Sequence, residues 1–324
     1  MVVILYRDLL RTKFVDQDSK QDADSSSHVD STGTICHGAI TMGDSTALNQ
    51  KGGRAELIAM DGIELHEDTS KDRQFITALA RGLEVLRCFR PSDRHLGNQD
   101  IAERTGLPKP TVSRLTYTLT RMGYLYHDDK LGKYQLGSGV LSLGYSFISN
   151  LDVLKTARPL MQELADYSHT VVSVGTRDRL GMVYLDGRHS TSATVSLRRE
   201  PGTRVPIATT AMGRALLCGL PEHEREKLME NIRQRDPDRW TKNKAGIEQA
   251  MRDYQERGFC LSIGDWRSDV NAVGVPMLPI AGSRLLTFNC AAPSFLLRQH
   301  MLEDDIGPRL INLVRTIESG VVRY

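Results

Sequence analysis

Apolar positions along the chain fall into regimes of different period. Residues 1–70 show none, and carry polar runs such as Asp22-Ala-Asp-Ser-Ser-Ser-His28 and Ser31-Thr-Gly-Thr34. A leader over 1–72 is therefore expected to be mostly disordered, or else to be an upstream extension from too early a start codon. From Phe75 the spacing turns helical: Ile76, Leu79, Ala80, Leu83, Leu86 and Cys88 or Phe89 recur three and four apart, stopping before Pro91. A second, short helix is expected from an N-cap at Asn98, with Ile101 and Ala102 facing a core and an end at Thr105-Gly106. Pro108 and Pro110 suit the first turn of a third helix, on which Val112, Leu115, Leu119 and Met122 share one face until Gly123. Tyr124-Leu-Tyr126 and Gly132-Lys-Tyr-Gln-Leu136 then bracket a polar turn, the pattern of a β-hairpin. Helix, short helix, glycine turn, polar-faced helix and hairpin together predict a winged helix-turn-helix over 73–137.

Gly137 leads into Val140, Leu141, Leu143, Tyr145, Phe147 and Ile148, more apolar than an exposed linker requires. A helix over 138–152 is expected to join two domains, and either helps to pair two chains or is an ordinary core helix. The remainder, 153–324, reads as a helix at 157–168 with Pro159 near its start and Leu160, Met161, Leu164 and Ala165 inward. Three adjacent antiparallel strands follow at 170–175, 180–186 and 193–197, then helices at 209–218, 222–234 and 245–257. Strands at 260–263, 271–277 and 285–290 and a last helix at 300–317 complete an α+β domain with its helices covering one side of the sheet.

Charge sharpens this picture. The formal net charge of +2 conceals a balance of −6 over 1–70, +5 over 71–137 and +3 over 138–324, so positive charge is densest on the helix-turn-helix segment. A module that meets a polyanion has that footprint, as does a solvated basic face. The polar face of the third helix offers Lys109, Thr111, Ser113, Arg114 and Tyr117. A helix entering a major groove needs cations and N-terminal amides for phosphate, and compact donors or a bidentate Arg for base edges. Asn98 and Pro110 at the helix starts, and Lys130 and Lys133 where a wing would follow the phosphates, complete the expected DNA-contacting set. Asp128 and Asp129 are expected to serve the hairpin turn.

A composition of 40% hydrophobic and 25% charged residues excludes wholesale disorder, and the length suggests two domains. No apolar run approaches the roughly 20 residues that cross a bilayer, so a cytoplasmic protein without membrane contact is expected. Five cysteines without CxxC spacing argue against a disulfide framework or structural zinc, leaving reduced thiols. The chain lacks GxxxxGK[ST], HExxH, GxSxG and a strand-borne GxGxxG, so no catalytic residue, metal or cofactor is expected. Cys260 and Cys290 read as small buried hydrophobes rather than nucleophiles, and Asp265 as a turn residue beside Gly264.

From about Arg73 to the C-terminus the chain resembles the IclR family of bacterial transcription regulators. The resemblance rests on Ala78-Leu-Ala-Arg-Gly-Leu-Glu-Val-Leu86, Thr105-Gly-Leu-Pro-Lys-Pro-Thr-Val-Ser-Arg-Leu115, Gly123-Tyr-Leu125, Arg204-Val-Pro206, Ala208-Thr-Thr-Ala-Met-Gly-Arg-Ala-Leu-Leu217, Asn271-Ala-Val-Gly-Val-Pro276 and Asn289-Cys-Ala-Ala-Pro293. It implies a winged helix-turn-helix that binds operator DNA, joined by a helix to a GAF-like α/β effector-binding domain, in a homodimer or dimer of dimers. Gly264-Asp-Trp266 and Val270-Asn-Ala272 are similar to members that act on catabolic genes. By the same resemblance Leu197, Val205, Ala211, Met212, Ser262, Val270, Ala272, Asn289 and Ala291 surround the effector, near a helix N-terminus at residues 209–213 able to hold a carboxylate without a dedicated Arg. With Ser262 and Asn289 as the polar members and Ala272 and Ala291 enlarging an apolar space, the effector is expected to be a small organic or aromatic acid. The competing reading is a metabolic enzyme or ligand-storage domain with an incidental helical N-terminus.

Overall fold

The computed structural model of the chain describes residues 74–192, 200–279 and 284–321. The leader and the strand expected at 193–197, with its Leu197, lie outside them. The N-terminal part has helices α1 (Thr77–Arg87), α2 (Asn98–Thr105) and α3 (Lys109–Arg121), then a hairpin of β1 (Leu125–Asp128) and β2 (Lys133–Leu136). Val85, Leu96, Ile101, Val112, Leu119 and Leu125 make its core. Gly106, at φ 69°, turns the chain between α2 and α3, a conformation that disfavours a side chain. The hairpin has a third edge, because Leu96 and Tyr134 exchange backbone bonds of 3.0 and 2.8 Å.

Three local expectations change. The helix start at α2 is capped by Gly97, not Asn98, with the Asp100 carboxylate accepting the Gly97 N–H at 2.8 Å. The stripe of Ile76, Leu79 and Leu83 on α1 faces outward, Ile76 being 65% exposed. Two apolar arcs run along this helix, and the narrower one packs: a Cβ at Gly82 would already touch Leu115, and Val85 is fully buried. Met122 is likewise exposed, because α3 ends at Arg121 and Thr116 takes a buried place instead.

Helix α4 (Ser138–Ser149) has no fully buried residue, although Phe147 and Ile148 near its end pack against the core of the second domain. Helix α5 (Val153–Ser168) starts earlier than expected and carries Pro159 as its seventh residue, on its exposed side, where the Lys155 carbonyl deprived of a partner can be hydrated. Strands β3 (Val171–Asp178), β4 (Gly181–His189), β5 (Arg204–Pro206), β6 (Cys260–Ile263), β7 (Val270–Met277) and β8 (Leu286–Pro293) form one antiparallel sheet in the order β5-β4-β3-β8-β7-β6. Helices α6 (Ala211–Gly219), α7 (Glu222–Arg235) and α8 (Pro237–Arg257) separate β5 from β6. Asp236 caps α8 and Pro237 opens it, eight residues before the apolar period becomes clear. A single turn Gln299–Met301, a π-helical segment Leu302–Ile306 and helix α9 (Gly307–Val321) end the chain, so the last helix is interrupted where Gly307 presses against Phe259.

The sheet is covered on both faces rather than one. Val172, Val174, Val273, Val275, Phe288 and Cys290 point towards α5 and α9. Met182, Tyr184 and Val205 face α6, α7 and α8. Close approach of α6 relies on glycine: a Cβ on Gly274 of β7 would collide with the Ala211 carbonyl, and one on Gly213 with the backbone of Ile207. We predict that Gly274→Ala destabilises this domain by about 1–3 kcal/mol, read from denaturant unfolding; unchanged stability would show that α6 can retreat at no cost.

Candidate functional site

Two sites emerge. On α3, Lys109, Pro110, Ser113, Arg114 and Tyr117 are exposed, Tyr117 by 66%, while Thr111 is half-buried. Val112, Thr116 and Leu119 hold the opposite side of the helix in the core. Lys109 begins the helix, so its charge lies beside amides that have no acceptor within the helix. Lys130 and Lys133 are exposed on the hairpin. Asp128 accepts from the amides of Lys130 and Leu131 at 2.9 and 3.1 Å, whereas Asp129 accepts from His127 at 2.8 Å. Asn98 Oδ1 lies 3.3 Å from Thr116 Oγ1, so this side chain braces α2 against α3. Arg94, which the helical period does not single out, shares a cleft of about 510 Å³ with Lys133 between the α1–α2 loop and the hairpin.

Asp93 and Arg104 hold that loop. Arg104 pairs with both Asp93 oxygens and also donates to the Cys88 carbonyl at 2.9 Å. Burial pushes the Asp93 carboxyl up, but the Arg104 hydrogen bond and the Arg90 amide outweigh it and hold the pKa below the ordinary carboxylate value.

The second site lies on the sheet face under α6. Register sets two neighbouring rows across the strands. One runs Ser262, Ala272, Ala291, Val171, and the next Gly274, Asn289, Ser173, Gly187. Ala211 of α6 packs on Ala272 and Ala291. Thr210 caps α6 by accepting from the Gly213 amide at 3.1 Å. Val205 and Met212 are buried in the adjoining cluster, and Val270 is buried at the start of β7. Of the expected effector set, Ala211, Ala272 and Ala291 pack together, Ser262 and Asn289 lie on the two rows, Val205 and Met212 belong to the adjoining cluster, and Ser262 has a different role from the one expected. Ser262 donates its hydroxyl to the Thr209 carbonyl at 2.7 Å and is committed to holding the α6 entry. Among the described residues, Ser173 Oγ, Asn289 Oδ1 and Thr209 Oγ1 are instead buried without a hydrogen-bond partner. Ser173 and Thr209 were not in the expected set; an alternating strand reading places Ser173 on one face or the other, but cannot place it opposite Asn289.

Asp265 proves to be more than a turn residue. It accepts from Arg214 at 2.7 Å, and the buried guanidinium also donates to the Ala208 and Leu261 carbonyls at 3.0 and 2.9 Å. Its charge is spent on the scaffold and not on the face under α6. Between the two sites, Arg87 at the end of α1 donates to both oxygens of Asp178 in the β3–β4 turn at 3.0 and 2.9 Å. Arg179 of that turn pairs with Glu84 of α1 at 2.9 Å, and Arg204 of β5 also reaches Asp178. Among the described residues no group of three or more His, Cys, Asp or Glu side chains is set to hold a metal, and no helix is long and apolar enough to cross a membrane.

Comparison with known proteins gives a consistent answer. Residues 78–129 match the IclR helix-turn-helix domain, and residues 145–318 match the bacterial transcriptional regulator IclR C-terminal domain. A curated relative, the HTH-type transcriptional regulator TsaQ1/TsaQ2 of Comamonas testosteroni, is 37% identical over 75% of this chain and 88% of its own. An IclR family transcriptional regulator from Brucella abortus is similar in structure with a TM-score of 0.74 and 51% identity, over 81% of this chain and 98% of that one. An IclR homolog from Microbacterium hydrocarbonoxydans, solved with 4-hydroxybenzoate, shares the fold at a TM-score of 0.61 and 18% identity, over 76% of this chain and all (100%) of that one.

Two outcomes are expected from this geometry. Because the folded-state pKa of Asp93 is lowered, its contribution to stability is present at neutral pH and lost as pH falls through the carboxylate range. Calorimetric melting of Asp93→Asn should therefore show less acid sensitivity than the parent, and identical profiles would refute the pairing. Ser173→Ala removes a buried hydroxyl without a partner and should raise the stability of the free protein by about 1 kcal/mol; a loss of stability in urea unfolding would show that the hydroxyl is satisfied.

Proposed function

The chain belongs to the IclR family of bacterial transcription regulators, a family of regulators and not of enzymes, and from that premise we propose that it binds operator DNA through α3 and the hairpin and a small aromatic or other organic acid under α6. The observation that carries the first part is the shared exposure of Lys109, Ser113, Arg114 and Tyr117 on α3, with the opposite face of the helix buried. Arg114 is the residue suited to a base edge, while Lys109, Lys130 and Lys133 neutralise phosphates. The apolar arc of Ile76, Leu79 and Leu83 on α1, together with Leu141 and Tyr145 of α4, exposed by 74% and 71%, supports pairing of two copies through these helices. A homodimer then presents two α3 helices to successive turns of one duplex.

The ligand follows from the rows under α6. Helix amides at the Thr210 cap suit a carboxylate, the alanine row suits an apolar ring, and the unpartnered Ser173 and Asn289 suit a ring hydroxyl. The 4-hydroxybenzoate bound by the Microbacterium homolog has that combination of groups. Control of catabolic genes accords with an acid of this class. The ion pairs from Asp178 to Arg87 and Arg204 give the coupling a route, since β5 carries both Arg204 and the pocket residue Val205.

Fluorescence anisotropy on DNA from upstream of the protein's own gene tests the first part. Affinity should fall steeply with salt, and Arg114→Ala should weaken binding by about five-fold or more, a loss of about 1–3 kcal/mol. Affinity indifferent to both salt and Arg114 would overturn the assignment. For the ligand, 4-hydroxybenzoate should raise Tm more than benzoate does, with the difference removed by Ser173→Ala; equal shifts would remove the hydroxyl from the account.

A further inference from the structure

Two thiols in the second domain have no part in the regulatory reading. Cys218 is the eighth of the nine residues of α6, and Cys260 opens β6. Their sulfurs are 3.4 Å apart, and both lie near the Ala250 carbonyl of α8, at 3.9 and 3.5 Å. Cys260 is fully buried, whereas Cys218 is half-buried and so within reach of a small solute. The other described thiols are placed differently. Cys88 donates to the Val85 carbonyl at 3.1 Å, and Cys290 lies 2.8 Å from Thr170 Oγ1. Burial pushes Cys88 up to about 12 and Cys290 up to about 11, which keeps both as inert thiols.

The pair is asymmetric. A hydrogen bond from Cys260 stabilises the thiolate of Cys218 and outweighs its burial, with Arg225 adding to the effect. The same contact, followed by burial, pushes the Cys260 thiol up. The accessible sulfur of Cys218 is thus the one a small solute can meet, with the Cys260 sulfur 3.4 Å behind it.

We propose that Cys218 and Cys260 are a reversible oxidation site that hydrogen peroxide converts to a disulfide joining α6 to β6. The Cys218 thiolate attacks one peroxide oxygen, the O–O bond breaks and hydroxide leaves, giving a sulfenic acid. Cys260 then gives up its proton and its sulfur attacks the Cys218 sulfur. The S–O bond breaks, and the departing hydroxide takes that proton to become water. Overall the two thiols lose two electrons and two protons, and one peroxide becomes two waters. The sulfurs must approach from 3.4 Å to a bond of about 2.05 Å, which links the end of α6 covalently to β6. The chemistry does not depend on what binds under the other end of α6.

The test uses the full-length reduced protein, a few equivalents of hydrogen peroxide, alkylation and peptide mass spectrometry. Both thiols should be lost from alkylation, with the peptides of Cys218 and Cys260 joined, and dithiothreitol should restore them. In Cys260→Ser the sulfenic acid at Cys218 should persist and react with dimedone. Both thiols remaining alkylatable, or Cys218 advancing to sulfinic acid without a crosslink in the unaltered protein, overturns the proposal. The unaltered protein decides this alone, whether or not the variant folds.

Discussion

Contact of backbone against backbone, where α6 lies on the sheet, is the constraint from which the second domain takes its shape. Gly274 and Gly213 remove the two Cβ atoms that would hold the helix away, and Gly175 leaves room for the Met212 side chain. Once the helix is that close, its entry must be secured by polar bonds that tolerate little error. Ser262 therefore holds the Thr209 carbonyl, Thr210 holds the Gly213 amide, and Arg214 ties the Ala208 and Leu261 carbonyls to Asp265. The helix end is thus fixed over two rows of small and polar side chains.

The winged domain solves a different problem with fewer residues. Six buried side chains make a small core, and a small core leaves loops poorly determined. The paired Arg104 and Asp93 tie the loop before α2 to that helix, and the backbone exchange between Leu96 and Tyr134 ties it to the hairpin. These ties fix where the hairpin stands relative to α2 and so place the exposed Lys133.

Much of this was legible in the sequence, for physical reasons that differ by element. Period and punctuation were enough for α2, α3 and the hairpin, because Gly106 and the prolines at 108 and 110 leave few alternatives. Pattern failed on α1, where two apolar arcs compete and only packing shows that the narrower one is buried. It also missed β5, three residues long, which exists through its pairing with β4. Ser173 could not be found because its importance comes from register with Asn289, 116 residues away, and Asp265 because its partner Arg214 is 51 residues away. The resemblance to a family supplied Val205 and Ala211, which as isolated aliphatics carry no signal of their own.

The Asp178 carboxylate has consequences of a different kind. Arg87 occupies both of its oxygens while Arg204 draws on the same charge, so the two guanidiniums are rivals for one anion. Arg87 thereby ties α1, and Arg204 ties β5, to one carboxylate at the end of β3. In that sense the carboxylate works as the pivot of a balance, with α1 on one arm and β5 on the other.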